Sequence, residues 1–325
     1  EYFALETLTL GVFNVWLGMN SLSGASQISS VLFIFVAILL AVEYLARRRQ
    51  RFHELSSGQN ILISEDLSNT KKLICFLICL IPIFLGFIVP VIILLDFVVS
   101  GFSIINFSEI LQTALTSISV ATAGAFFVML CSVLLILISN YKSNNFHKII
   151  IFLASCGYAL PGTILAVGIV IFVGWLNNLI NFHLSYVAGG FIVLIFAYVT
   201  RFLAVGNAAI RSGILKVHPN AMDASTSMGI GFYQSIRKII LPLILTNVLI
   251  GGILVFVDIL KELPITLLLR PFNFETLSTY VYQYASDELL QESSFAALII
   301  IVVGLGPVIF LNSRLQRVSQ KKQSS

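Results

Sequence analysis

Apolar residues run along this chain in long blocks separated by short polar segments. A helix needs about 20 mostly apolar residues to cross a bilayer. Seven blocks meet that length, at 28–46, 73–95, 112–138, 149–176, 184–204, 239–260 and 294–312. The first holds one acid, Glu43, close to its end and near Arg47, where it can reach the interface. The pattern predicts an all-α polytopic membrane protein with seven transmembrane helices.

Charge orients these spans. Seventeen of the 19 Lys and Arg residues, Arg201 among them, fall in one set of alternate loops, and only Lys261 and Arg270 fall in the other. Basic residues collect on the cytoplasmic side, so the N-terminus is expected outside and the C-terminus in the cytoplasm. The net charge of +4 and pI near 8.9 follow from this asymmetry and give no sign of nucleic-acid binding. Composition agrees: 58% of residues are hydrophobic, 10% are charged and the mean hydropathy is +0.99. A soluble enzyme, a disordered chain and a disulfide-rich module are thereby excluded.

Two outer segments resemble each other. Glu6-Thr7-Leu8-Thr9-Leu10-Gly11-Val12-Phe13 parallels Glu275-Thr276-Leu277-Ser278-Thr279-Tyr280-Val281-Tyr282 at an offset of 269 positions, and each precedes a span that runs inward to a basic cluster. This predicts an internal repeat. Residues 1–50 are then the end of a first repeat with its last span. Residues 51–72 form a polar cytoplasmic linker, rich in Ser56, Ser57, Gly58, Ser64, Ser68 and Asn69, and 73–325 a second repeat of six spans. The period also predicts roughly 200 further residues upstream of Glu1. The alternative is a complete seven-span protein with a trimmed initiator. Two repeats in the same orientation are related by an axis along the membrane normal.

The longest inside loop of the second repeat, about 205–238, contains Val217-His218-Pro219-Asn220-Ala221-Met222-Asp223-Ala224-Ser225-Thr226-Ser227-Met228-Gly229. Asn220 is expected to cap a helix, with Asp223 reaching back from three residues on. Gly229 and Gly231 allow the chain to stop and turn. A second amphipathic stretch from Ser235 enters the sixth span, where Leu241-Pro242 permits a bend. A short helix, a glycine turn and a helix continuous with a span make an element that can transmit force.

Asp223, Ala224, Ser225, Gly229, Ile239, Leu241 and Pro242 resemble, with every gap intact, the EAA motif of ABC importer permeases. That pattern is Glu-Ala-Ala, three residues, Gly, nine residues, Ile, one residue and Leu-Pro. The departures are Asp for Glu and Ser for the second Ala. The resemblance implies the type I ABC importer permease fold and makes this loop the coupling helix, which docks on a cytoplasmic ATPase subunit. Ala224 and Ser225 would permit close approach, and Gly229 the sharp exit.

Two further stretches are similar to the ferric-iron branch of that family, whose members are two-repeat single chains. One is Tyr158-Ala159-Leu160-Pro161-Gly162-Thr163-Ile164, in which Pro161 and Gly162 would break a span where protein or water supplies partners. The other runs from Asp258 through Lys261-Glu262-Leu263-Pro264 to Arg270-Pro271-Phe272-Asn273-Phe274-Glu275. The resemblance implies a permease of the bacterial inner membrane, embedded in the lipid bilayer. It would receive Fe³⁺ from a periplasmic ferric-binding protein and be driven by two copies of an ABC ATPase. No cofactor is expected in this chain, since it lacks a G-x-x-x-x-G-K-[ST] sequence and ATP with Mg would sit on the partner. Thiamine, polyamine and oxyanion permeases share the coupling loop, so it does not select among cargoes. An ion-coupled secondary transporter, a different class, would show acids near the bilayer centre. Here the acids stand near span ends.

Several residues carry two readings. Pro161, Gly162, Asp258, Lys261 and Glu262 are candidates for a pathway or gate, although Asp258 and Lys261 at i, i+3 also suit a plain ion pair. Tyr280, Tyr282 and Tyr284, expected on the outer face near Asp287, Glu288 and Glu292, offer oxygen ligands to Fe³⁺ or serve as interfacial anchors. The outer acids suit either attraction of cations or a basic patch on the binding protein. Cys75, Cys79, Cys131 and Cys156 are read as small buried apolar residues. His53, His147, His183 and His218 show no H-x-x-x-H spacing, and no Ser-His-Asp or H-E-x-x-H arrangement suggests an enzyme.

Overall fold

The computed structural model describes residues 7–48, 68–103, 105–141, 145–180, 190–218 and 220–323. The linker serines 56, 57 and 64, His53, His183, Pro219 and the Glu6 end of the repeat lie outside the described residues. The chain folds into helices: α1 (Leu8–Phe13), α2 (Leu22–Arg48), α3 (Asn69–Ser100), α4 (Phe107–Tyr141), α5 (Asn145–Cys156) and α6 (Gly162–Ile180). These are followed by α7 (Phe191–Ile214), α8 (Ala221–Ser227), α9 (Phe232–Leu260), α10 (Pro264–Leu269), α11 (Leu277–Ser286) and α12 (Leu290–Gln323). Seven of them, α2, α3, α4, α6, α7, α9 and α12, are long and apolar enough to span a membrane, as the hydropathy pattern predicts.

The spans shift in two places. The block at 149–176 is not one helix: α5 ends at Cys156 and the spanning helix starts at Gly162, so Pro161 marks a helix start rather than a kink in mid-span. The fifth span is α7, ten residues deeper along the sequence at its inner end than the expected 184–204. Arg201 therefore lies within α7 and not in a cytoplasmic loop. Ten residues from Phe191 place it about 15 Å along the helix axis.

Two spans contain a wide π turn, Phe84–Ile88 in α3 and Ile236–Ile240 in α9. Each ends two residues before a proline, Pro90 and Pro242. Proline has no N–H to donate and its ring presses on the carbonyl a turn earlier. A widened turn makes room for the ring and keeps the rod continuous. At Leu241-Pro242 the structure thus holds a π turn within a continuous helix.

The core is a trio of α4, α7 and α9, whose buried side chains include Val120, Val128, Leu194, Tyr198, Ile210, Ile244, Val255 and Ile259. Lipid offers little hydrophobic driving force between helices, so close van der Waals packing holds them together. Gly206 of α7 shows this: a Cβ there would collide with Ser132 of α4. A smaller cluster of Ile110, Ala114, Leu277, Tyr280 and Ala296 joins the outer end of α4 to α11 and α12. Val12 and Ala25 of the α1–α2 pair bury against Val167 of α6. No residue of α3 is buried among the described residues.

The two segments that match at an offset of 269 positions share a local geometry. Thr7 starts α1 and its hydroxyl accepts the Leu10 N–H at 3.3 Å. Thr276 starts α11 and accepts the Thr279 N–H at 3.4 Å, completing a capping box.

Candidate functional site

The loop after α7 folds into an elbow. Asn220 stands at the N-cap of α8, but its side chain makes no capping bond; its backbone N–H donates to His218 Nδ1 at 3.2 Å instead. Asp223 does not reach back either. Its backbone carbonyl accepts the Thr226 and Ser227 hydroxyls, each at 2.9 Å. At the exit, the Gly229 N–H donates to Thr226 O at 2.9 Å and the Ile230 N–H to Ser225 O at 3.1 Å. This two-bond closure requires a left-handed residue, and Gly229 has φ +77°. The chain then re-enters helix at Phe232 and continues into α9.

Ser225 does not face outward as a docking residue would. It is buried, and its hydroxyl bonds that of Ser235, which is also buried and whose O–H reaches Gly231 O at 3.1 Å. The side chains presented to solvent include Asp223 and Ala224, with Met228 and Tyr233 79% and 78% exposed. Sequence reasoning missed Met228 and Tyr233; bare apolar side chains on a polar elbow were the available signal. Ile239 is half-buried against the core and Pro242 is exposed at the first turn after the π turn.

A second constellation lies at the other end of α9. Glu262, 6% exposed, pairs with Arg201 of α7 at 3.4 Å from Nε to Oε2. Arg201 Nη1 also donates to Leu160 O at 3.2 Å, satisfying a carbonyl freed where the chain breaks before α6. Glu262 Oε1 accepts the Ile265 N–H at 3.2 Å and so anchors the start of α10. Its backbone carbonyl accepts the hydroxyls of Thr266 at 2.7 Å and Ser278 at 3.0 Å, and Thr266 in turn bonds Tyr198 at 2.6 Å. Leu277 N–H donates to Ser117 of α4 at 2.7 Å. Gly162 is needed here, because a Cβ on it would lie 2.8 Å from Arg201 Nη1 and 2.9 Å from Glu262 Oε1. The structure thus brings Gly162 and Glu262 together around Arg201, which the charge pattern alone assigns to a loop. The expectation that Arg201 lies in a cytoplasmic loop fails, since it stands within α7.

The other candidates separate. Lys261 and Asp258 form the plain ion pair, Nζ to Oδ1 2.9 Å, with Lys261 exposed. Pro161 precedes α6 and takes no part in the polar knot of hydrogen bonds around Arg201 and Glu262. Tyr280 is 2% exposed and stacks on Tyr284 with ring centroids 4.4 Å apart, so it belongs to the outer core and not to the outer surface. Burial pushes its phenol up, which disfavours the phenolate that would bind a trivalent cation. Tyr282 lies on the other side of α11. Among the described residues no group of three or more His, Cys, Asp or Glu is placed to hold a metal ion. Cys75 and Cys79 are exposed on α3 rather than buried, while Cys131 and Cys156 are half-buried.

Comparison with known proteins agrees with the helical architecture. The sequence profile described as binding-protein-dependent transport system inner membrane component matches residues 132–324. The Fe(3+)-transport system permease protein FbpB 2 of Haemophilus influenzae is 26% identical over 311 residues, which is 94% of this chain and 60% of that protein. The chain therefore spans about three fifths of the length of that relative. Among solved structures, a bacterial ABC transporter involved in the import of the acidic polysaccharide alginate matches with a TM-score of 0.59 and 17% identity, over 77% of this chain and 96% of that one. At that identity the match speaks for the fold alone.

Proposed function

Because the chain belongs to the family of binding-protein-dependent transport system inner membrane components, we propose that it is the permease of an ATP-driven importer and that its cargo is ferric iron. The iron reading is supported by the similarity to the Haemophilus protein, which extends over 94% of this chain. In this reading the N-terminal end of the chain lies outside and the C-terminus in the cytoplasm, an orientation supported by the basic residues even with Arg201 withdrawn into the membrane. In this reading residues 1–50 close a first repeat, 51–72 link, and 73–325 form the second. The paired Thr7 and Thr276 caps support that division.

The observation that carries the mechanism is the rigid join between elbow and span. α8 is closed by its glycine turn and bonded to the start of α9 through Ser225 and Ser235. α9 then runs 29 residues, about 44 Å. A cytoplasmic ATPase docked on Asp223, Ala224, Met228 and Tyr233 would move α9 as a lever. Its far end carries Asp258 and leads to Glu262, which is tied to Arg201 on α7; Arg201 in turn holds Leu160 before α6. Closure of two ATPase copies on binding ATP and Mg would thus rock the outer half of the permease, which opens alternately to each side. The periplasmic binding protein would deliver the cargo. This chain's residues position and move; covalent chemistry belongs to the ATPase. An ion-coupled carrier is disfavoured by the family and by the engagement of Glu262 with Arg201.

The test uses the full-length permease with its ATPase and binding protein in vesicles. Asp223→Arg and Gly229→Pro should abolish ATP-driven uptake of ferric iron while the chain still inserts. Unchanged uptake in both would refute the coupling role. Wild-type uptake of thiamine, a polyamine or an oxyanion in place of iron would reassign the cargo and leave the coupling role standing.

A further inference from the structure

A cavity of about 760 Å³ opens at the outer end of the protein, between the first turns of α4 and the segment from Leu267 to Glu275. Its α4 wall is made by Glu109, Gln112, Thr113 and Thr116. Steps of three, one and three residues put all four on one face. The stripe descends about 10 Å along a spanning helix. Polar side chains in such a helix face the protein interior or water. Thr113 is 6% exposed, lines this cavity and offers its hydroxyl to no hydrogen bond among the described residues.

The opposite wall carries no net charge. Arg270 is already committed: its Nη1 donates to Glu275 Oε1 at 2.9 Å and to Thr279 Oγ1 at 3.3 Å. That pair cancels, and Glu109 leaves the lining with one net negative charge. Glu109 Oε2 accepts the Asn106 Nδ2 at 3.0 Å, which steadies the carboxylate and leaves Oε1 free of that bond. The other polar groups on the walls are amides and hydroxyls, from Gln112, Thr113, Thr116 and Asn273. Carboxylate, amide and hydroxyl oxygens suit a hard, hydrated cation. One uncompensated carboxylate is too little to trap such an ion, and a transport path needs binding weak enough to release.

We propose that this cavity is a cation-selective outer vestibule, in which Glu109 and the Gln112–Thr113–Thr116 stripe receive a hydrated hard cation on its way into the permease. The inference deepens the proposed function, since it rests on the reading of this chain as an importer permease and names where the cargo first meets it.

The vestibule's charge can be read without any cargo. Thr116→Cys in the full-length permease is treated in membrane vesicles with the cationic thiol reagent MTSET and the anionic MTSES, against the wild type as background for the native cysteines. Each rate is divided by that reagent's rate with free thiol. The scaled preference for the cation should be roughly threefold to tenfold, as expected for one unit charge several ångströms away in a watery cleft, and should fall towards one when Glu109→Gln is added. Gln112→Cys, one turn further out, should repeat the pattern. Equal scaled rates at both positions, or reaction at neither, would overturn the vestibule. A second arm measures ferric iron uptake, which should drop severalfold in Glu109→Gln. If the thiol preference is found but the wild type carries no iron, the iron reading fails and the vestibule stands. If iron is carried and the preference is absent, the vestibule alone fails.

Discussion

At the scale of single residues, Ser225 shows how a departure from a motif can be compensated nearby. Alanine at this position would need no partner, whereas a buried hydroxyl must find one or lose about 1–3 kcal/mol. Ser235 supplies it, and both side chains are buried where α8 meets α9. A double-mutant cycle of Ser225→Ala and Ser235→Ala should therefore be non-additive. The coupling expected is about 0.5–1.5 kcal/mol, read from thermal unfolding in detergent, and additivity within error would mean that the two hydroxyls do not act together. In the sequence Ser225 reads as a small docking residue; its burial and its partner were not legible, because ten positions separate the two serines across a turn. Asn220 shows the opposite failure. Its residue type suits a cap and its position is the cap, yet the backbone took His218 instead. Arg201 was hidden for a different reason. A charge count assigns every arginine to a loop unless its buried partner is known, and Glu262 arrives from the turn between α9 and α10.

At the scale of elements, the elbow depends on one backbone conformation. Gly229 has φ +77° and open space where a Cβ would go, so substitution there tests conformation without a steric clash. Gly229→Ala should cost about 1–2 kcal/mol for a left-handed alanine. Gly229→Asn should cost less, because asparagine enters that region more readily. Uptake and ATP-coupled activity should fall in the order glycine, asparagine, alanine, proline. An alanine variant as active as the wild type would mean that the turn can re-form with another conformation. The spans themselves were legible because 20-residue apolar blocks admit few alternatives in lipid. Their ends moved where the chain bonds to itself: Leu160 before α6 is held by Arg201, a tertiary contact that hydropathy does not carry.

At the scale of the whole molecule, the Arg201–Glu262 pair links α7, α10 and the start of α6 into one body, and its energetics differ from those of a surface pair. Both charges are largely withdrawn from water, so losing one strands the other. Arg201→Ala and Glu262→Ala should each destabilise by about 3–5 kcal/mol, measured as thermal unfolding of the full-length permease in detergent. Replacing both with well-packed apolar residues, Arg201→Met with Glu262→Met, should recover most of that stability, because an uncharged pair carries no desolvation cost. Transport should not recover with it. The double variant still loses the Arg201 bond to Leu160 and the Glu262 anchor of Ile265, so α9 would move without carrying α6 and α10 along. A double variant that regained both stability and uptake would show that packing alone joins the outer half to the lever. Stability without uptake would assign the polar knot to transmission, the role that its position at the far end of α9 gives it.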